Sequence, residues 1–173
     1  PGISAWDSPG MADKMARFPF VVAFAYTRDE TNHHADVLLP DATDLESLQL
    51  MRIGGTKYIE QFWNHQGFAL RQPVVGARGE ARDFTEIASE LAKRTGLTEK
   101  YVASINKGAG GVPLKSEHGD FALDTGRGHS REEIWDAVCK AASAEVSEGA
   151  EVHGLDWWKE HGLDNRPFPQ SEW

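Results

Sequence analysis

Glu30, Thr31, His33 and His34 crowd a polar turn between two apolar runs, Phe20-Val21-Val22-Ala23-Phe24-Ala25 and Val37-Leu38-Leu39-Pro40. A polar loop leaving a buried strand is where α/β proteins set their ligand crevices. A carboxylate, a hydroxyl and two imidazoles at such a place could line a cofactor or substrate channel. The alternative is a solvated turn in which Thr31 bonds the local backbone. His33 and His34, with Asp29 or Asp36, also raise a zinc site. Adjacent side chains of an extended backbone point to opposite faces, so the two imidazoles do not easily share one ion. Farther on, Thr125-Gly126-Arg127-Gly128-His129-Ser130-Arg131 brings two arginines to a helix start. Free amides there favour anions such as a CoA phosphate or a pyrophosphate, and the alternative is a capped helix with exposed arginines. Gly108-Ala109-Gly110-Gly111 follows no strand and lacks a closing Lys-Ser or Lys-Thr, so it reads as a turn and not as a phosphate loop.

The elements that must position these groups follow from the apolar pattern. Residues 11–17 end a helix, 20–25 form a buried strand, and 36–39 form a second, short extended segment. Between 45 and 73 the pattern blurs around Gly54-Gly55 and reads as irregular with short helical turns. Asp83 and Glu86 make a capping pair for a helix reaching Thr95, with Phe84, Ile87, Ala88, Leu91 and Ala92 as its apolar stripe and Gly96 as its stop. Thr98 caps a short helix through Ile105, and 107–129 is loop-rich. Ser130 and Glu133 form a capping box before a helix with Ile134, Trp135, Val138, Ala141 and Ala142 on one side. A last short helix begins near Asp156, and 166–173 is extended and broken by prolines. Two strands and four helices make part of a parallel sheet, not a closed one, because each parallel strand needs its own crossover. The expected fold class is therefore α/β, part of a doubly wound domain followed by an α-rich extension.

Composition narrows the function classes. With 40% apolar and 10% aromatic residues over 173 positions, the chain is of globular and not of disordered composition. A formal charge of −9 argues against a nucleic-acid surface, which needs clustered Lys and Arg. No apolar run approaches the roughly eighteen residues of a membrane span, and no basic-then-apolar signal opens the chain. Cys139 is the only cysteine, so it forms neither an internal disulfide nor a cysteine-rich cluster, and its place in a helical pattern reads as a buried, inert thiol. The chain opens on Pro1 without methionine and is expected to be a piece of something longer. Trp6, Trp63, Trp135, Trp157, Trp158 and Trp173 are many for this length and are expected to pack against neighbours, leaving apolar surface exposed when the chain is alone.

Three stretches in order carry a resemblance. Glu30-Thr31, Ala35-Asp36-Val37 and Leu38-Leu39-Pro40 follow the apolar strand, with Asn32 between; Leu45-Glu46 comes shortly after the proline. Arg71, Pro73-Val74-Val75 and Gly79-Glu80-Ala81 then lead to a helix with Ile87, Glu90-Leu91-Ala92 and Thr95-Gly96-Leu97. In these residues the chain resembles the molybdopterin oxidoreductases of the dimethyl sulfoxide reductase family over about residues 16–97.

The resemblance implies a Rossmann-like α/β domain over residues 1–97 and a helical, loop-rich extension over 98–173 that leads toward a further domain. It also implies a catalytic subunit holding molybdenum or tungsten on a bis(molybdopterin guanine dinucleotide), beside a 4Fe-4S cluster. The metal ligand and the cluster cysteines would lie outside this segment, so the chain itself would carry scaffold, part of a dinucleotide site and no catalytic residue. Its partners would be the rest of the subunit, an iron–sulfur electron-transfer subunit and a membrane-anchor subunit, on either the cytoplasmic or the periplasmic side. Cofactor contacts fall on Phe24, Ala25, Thr31, Ser47 and Asp83. Phe24 and Ala25 stand where many members carry Asp or Ser-Asp, leaving only backbone groups to bond the dinucleotide. Ser47 replaces a frequent Lys, and Asp83 stands one position before the aspartate slot, which is Phe84 here. The Asn-x-Glu-Gly-Arg element of nitrate reductases and formate dehydrogenases is missing after Gly55-Thr56; the pattern from Arg52 to Tyr58 is closer to phenylacetyl-CoA acceptor oxidoreductases and the polysulfide reductase group. The competing expectation is a non-catalytic acidic module that docks on an electron-transfer partner.

Overall fold

The computed structural model describes residues 8–54 and 65–167, in which helices and strands are mixed, an α/β class. In chain order the elements are α1 (Ser8–Met15), β1 (Val22–Ala25), β2 (Val37–Pro40), β3 (Gln49–Gly54), β4 (His65–Arg71), α2 (Phe84–Arg94), α3 (Thr98–Ser104), β5 (Lys115–Ser116), β6 (Gly119–Asp120), α4 (Arg131–Val146), α5 (Leu155–His161) and β7 (Leu163–Pro167). A 3-10 turn, Asn32–His34, lies between β1 and β2. The chain divides into two compact units, 8–47 with 73–84, and 48–54 with 65–72 and 85–167. Trp6, Trp63 and Trp173 lie outside the described residues.

In the first unit β1 and β2 pair in parallel, Val22 opposite Val37 and Ala25 opposite Pro40. The apolar run thus makes a strand two residues shorter than its composition suggests. Phe18, Phe20, Val22, Tyr26 and Leu39 are exposed, as is every residue of β2. Parallel strands normally have both faces covered, so this unit carries the uncovered apolar surface anticipated from the aromatic content.

The second unit holds the main core. Its sheet runs β3-β4-β7, antiparallel throughout, with Phe68 of β4 opposite Arg52 of β3 and Asp164 of β7. Within residues 45–73 this corrects the expectation of irregular chain with short helical turns at Gln49–Gly54 and His65–Arg71; residues 55–64 lie outside the described residues. Leu48, Leu50, Phe68 and Leu70 are buried at every second position, while the apolar Met51 on the outer face hides the alternation from a count of hydrophobics. Gly67 argues against a strand by propensity, yet a Cβ there would lie 2.3 Å from the Asp164 carbonyl oxygen. Close approach of β7 requires the glycine.

Helix α4 starts as expected. Ser130 Oγ accepts the Glu133 N–H at 3.1 Å, and Glu133 Oε2 accepts the Ser130 N–H at 2.9 Å. Its apolar surface is not confined to one side, however. Buried residues run almost without a break from Ala141 to Val146, in addition to the predicted stripe. Small side chains at Ala141, Ala142, Ser143 and Ala144 let the sheet and α5 approach from different directions, so α4 is a central helix. Trp158 of α5 is fully buried in this core with Leu114 and Cys139. Gly96, at φ 70, ends α2, and the Leu97 N–H turns back to the Ala92 carbonyl at 2.8 Å. Thr98 is the first residue of α3 and not its cap, which is Leu97.

Candidate strand-end site

The first unit brings three extended segments side by side. β2 lies beside β1, and Asp41, just past β2, pairs in parallel with Arg82. The Asp41 N–H donates to the Ala25 carbonyl at 3.2 Å, and the Ala42 N–H donates to the Arg82 carbonyl at 2.9 Å. All three segments run the same way, so their carboxyl ends gather Ala25, Asp41 and Asp83. Asp83 is buried, 4% exposed, and stands immediately before α2. Phe84 follows it, with its ring edge-on to Phe24 at 6.1 Å between centroids. Three of the anticipated cofactor positions, Phe24, Ala25 and Asp83, are therefore neighbours.

Asp41 was not anticipated. Burial raises its carboxyl above the ordinary aspartate value, Asp83 nearby adds to the rise, and the Ala42 N–H opposes it. Two carboxylates at one strand end repel each other and also offer a dense set of acceptors. The available signal was position alone, an aspartate directly after the proline that closes a strand.

Thr31 and Ser47 sit on the connections. Asp29 Oδ1 accepts the N–H groups of Thr31 at 2.9 Å and Asn32 at 2.8 Å. Asn32 is buried; its Nδ2 donates to the Thr27 carbonyl at 2.7 Å and its Oδ1 accepts the Asp29 N–H at 3.0 Å. The turn after β1 is thus tied by Asp29 and Asn32, and Thr31 contributes its backbone. The His33 and His34 rings meet edge to face, 6.4 Å apart. After β2, Glu46 Oε2 accepts both the N–H and the hydroxyl of Thr43, at 2.9 and 3.0 Å, which holds Glu46 below the usual carboxylate range. The Arg78 N–H reaches the other carboxylate oxygen at 3.2 Å. Glu46 therefore closes its own loop, and buried Ser47 follows directly.

The arginines at the start of α4 take the capped-helix alternative. Arg127 Nη2 lies 2.7 Å from Glu133 Oε1, and Arg131 lies 2.7 Å from Glu132 and 3.5 Å from Glu86. Arg127 and the capping amide of Ser130 pull the Glu133 carboxyl down to about 2. A cleft of about 580 Å³ beside this terminus is lined by Glu86, Glu90 and Glu132 as well as Lys93 and Arg131, a mixed wall that does not select an anion. Cys139 is buried, and its thiol is pushed up to about 12 by burial, so it supplies no ready thiolate.

No protein-family model and no curated protein matches the chain.

Proposed function

We propose that the chain is a segment of the catalytic subunit of a molybdenum or tungsten bis-pterin guanine dinucleotide oxidoreductase, and that its strand-end aspartates hold one guanine. One observation carries this: buried Asp83, directly before a helix, lies near enough to Asp41 to raise its carboxyl, at the carboxyl ends of three parallel segments where Asp41 also bonds Ala25. Ligands of open α/β sheets bind at such ends. The donor set suits the base. Guanine presents an N1–H and an exocyclic amino group on one edge, and a carboxylate accepts from both. The same pair of carboxylates repels a pyrophosphate, so the phosphates would rest on other parts of the enzyme. On this proposal β1, β2 and the segment at Arg82 belong to a doubly wound, Rossmann-like sheet completed elsewhere in the subunit. The bound cofactor supplies the two-electron chemistry, and this chain's residues position and orient it. The 4Fe-4S cluster, an iron–sulfur partner subunit and a membrane anchor belong with the remainder of the enzyme.

The acidic docking module has the charge of −9 in its favour. One experiment separates the two. Inductively coupled plasma mass spectrometry on the intact protein from its source, with guanine assayed after acid hydrolysis, should find about one Mo or W and about two guanines per chain. A folded, intact protein with neither metal nor guanine refutes the cofactor reading and leaves the module.

A further inference from the structure

Residues 151–166 carry a feature that dinucleotide binding does not use. His153 and His161 lie flat against the two faces of Trp157, with centroids 4.0 and 4.1 Å from the indole and planes tilted by 8° and 7°. His161 is four residues beyond Trp157 on α5, the spacing that stacks side chains on one helix face. His153 precedes α5, and its N–H donates to Ser143 Oγ of α4 at 2.8 Å, which fixes its approach. Trp158, fully buried, meets Trp157 edge-on at 5.4 Å. The indole is thus held between two imidazoles on one side of a rigid neighbour. His161 Nδ1 lies 2.9 Å from the Trp157 carbonyl, to which it donates. His153 Nε2 lies 2.8 Å from Glu151 Oε2, the same oxygen that accepts Arg166 Nη2 at 2.7 Å. Arg166 belongs to β7 and also binds Asp164 through Nε at 2.9 Å.

We propose that the His153–Trp157–His161 stack is a proton-operated latch, which tightens the hold of α5 and of the loop before it on β7 when both imidazoles become cations. Histidine is the side chain that ordinarily changes charge between pH 5 and 8. An imidazolium over an indole face is attracted by the ring quadrupole, and a neutral imidazole lacks that attraction. The Glu151 carboxylate can only accept, so His153 Nε2 donates to it in either state, and protonation makes that bond charge-assisted on both sides, joining the stack more strongly to Arg166. The charged groups on the elements that carry and flank the stack are Glu151 on the loop, Asp164 and Arg166 on β7, Asp136 and Lys140 of α4 beside Gly154, and Asp156, Lys159 and Glu160 on α5. Carboxylates outnumber cations among them, so two added positive charges are not placed in a basic surround. His153 is partly exposed and His161 is exposed, so protons reach both rings.

The test uses the whole 173-residue chain. In proton NMR, ring currents from Trp157 should move the Cε1–H signals of His153 and His161 upfield. Amide-exchange protection factors in α5 and β7, corrected for intrinsic rates, should rise about fivefold to thirtyfold from pH 7.5 to pH 5.5, the effect of two exposed cation–π contacts. His153→Gln with His161→Gln should abolish that rise. His161→Gln alone, at an exposed position, should keep the fold and lose part of it. Unshifted Cε1–H signals, flat protection factors, or a rise that survives in the double variant would each overturn the proposal.

Discussion

Asp136 of α4 caps α5 from outside that helix. Its Oδ1 accepts the Leu155 N–H at 2.8 Å, and its Oδ2 lies 2.7 Å from Lys140 Nζ. The N-cap residue of α5 is Gly154, which has no side chain to do this. A Cβ at Gly154 would stand 2.6 Å from Asp136 Oδ1, whereas its backbone angles, φ −80 and ψ 177, are open to any residue. Glycine is there for room and not for conformation. Asp136→Ala removes a capping bond of about 1 kcal/mol and a half-exposed ion pair of about 0.3 kcal/mol. The expected loss is about 1–1.5 kcal/mol, a fall in Tm of roughly 3–5 °C for a chain of this length. Gly154→Ala drives its methyl into the carboxylate and should cost about 1 kcal/mol. In the double variant the collision is gone, so its cost should fall short of the sum of the two single costs by about 1 kcal/mol. Urea unfolding at pH 7, followed by the near-ultraviolet circular dichroism of the tryptophans, measures all four corners of the cycle. Strict additivity, or an Asp136→Ala cost below about 0.3 kcal/mol, would refute the capping argument.

Three further outcomes follow from particular contacts. Because burial raises the folded Asp41 carboxyl, its contribution to stability is full below the ordinary value of 3.8 and is lost as pH rises through the folded value; Asp41→Asn should therefore raise the urea midpoint at pH 7 and converge on the parent only as pH falls below 3.8, and equal midpoints at pH 7 would count against it. Glu133 is depressed to about 2, so its contribution is present above 4.5 and disappears as pH falls through about 2. Glu133→Gln should be less stable than the parent at pH 7, with the gap closing below pH 3, and a gap independent of pH would contradict the capping-box account. Gly67→Ala sets a methyl 2.3 Å from the Asp164 carbonyl oxygen and 2.7 Å from the Asn165 Cα. A loss of about 1–3 kcal/mol with faster amide exchange along β7 is expected, and unchanged exchange would show that β7 gives way freely.

What was legible in the sequence was local. The capping box at Ser130 and Glu133, the glycine stop at Gly96 and the strand–turn–strand order of residues 20–40 each depend on a few adjacent residues, and each stands where the pattern placed it. The sheet β3-β4-β7 was missed because its partners are distant and because Gly67 disguises its central strand. Of the candidate site, Phe24, Ala25 and Asp83 were named and prove adjacent, whereas Asp41 emerges only from the parallel pairing with Arg82. The outside cap on α5 was equally hidden, since a helix start with glycine at its cap gives no hint that an aspartate nineteen positions earlier completes it.

The register of β7 sets the order in which the second unit can assemble. Phe68 finds its β7 neighbour, Asp164, only after about a hundred further residues have been made. On a translating ribosome β3 and β4 can meet early, but the outer edge of β4 stays open until residues near 167 emerge. That edge includes Gly67, whose bare backbone offers no side chain to turn away another strand. The interval before β7 arrives is thus the period when nascent chains are most prone to pair with one another. Slower elongation through the 120s to 160s would lengthen it, and a helper that shields unpaired strand edges would matter most there.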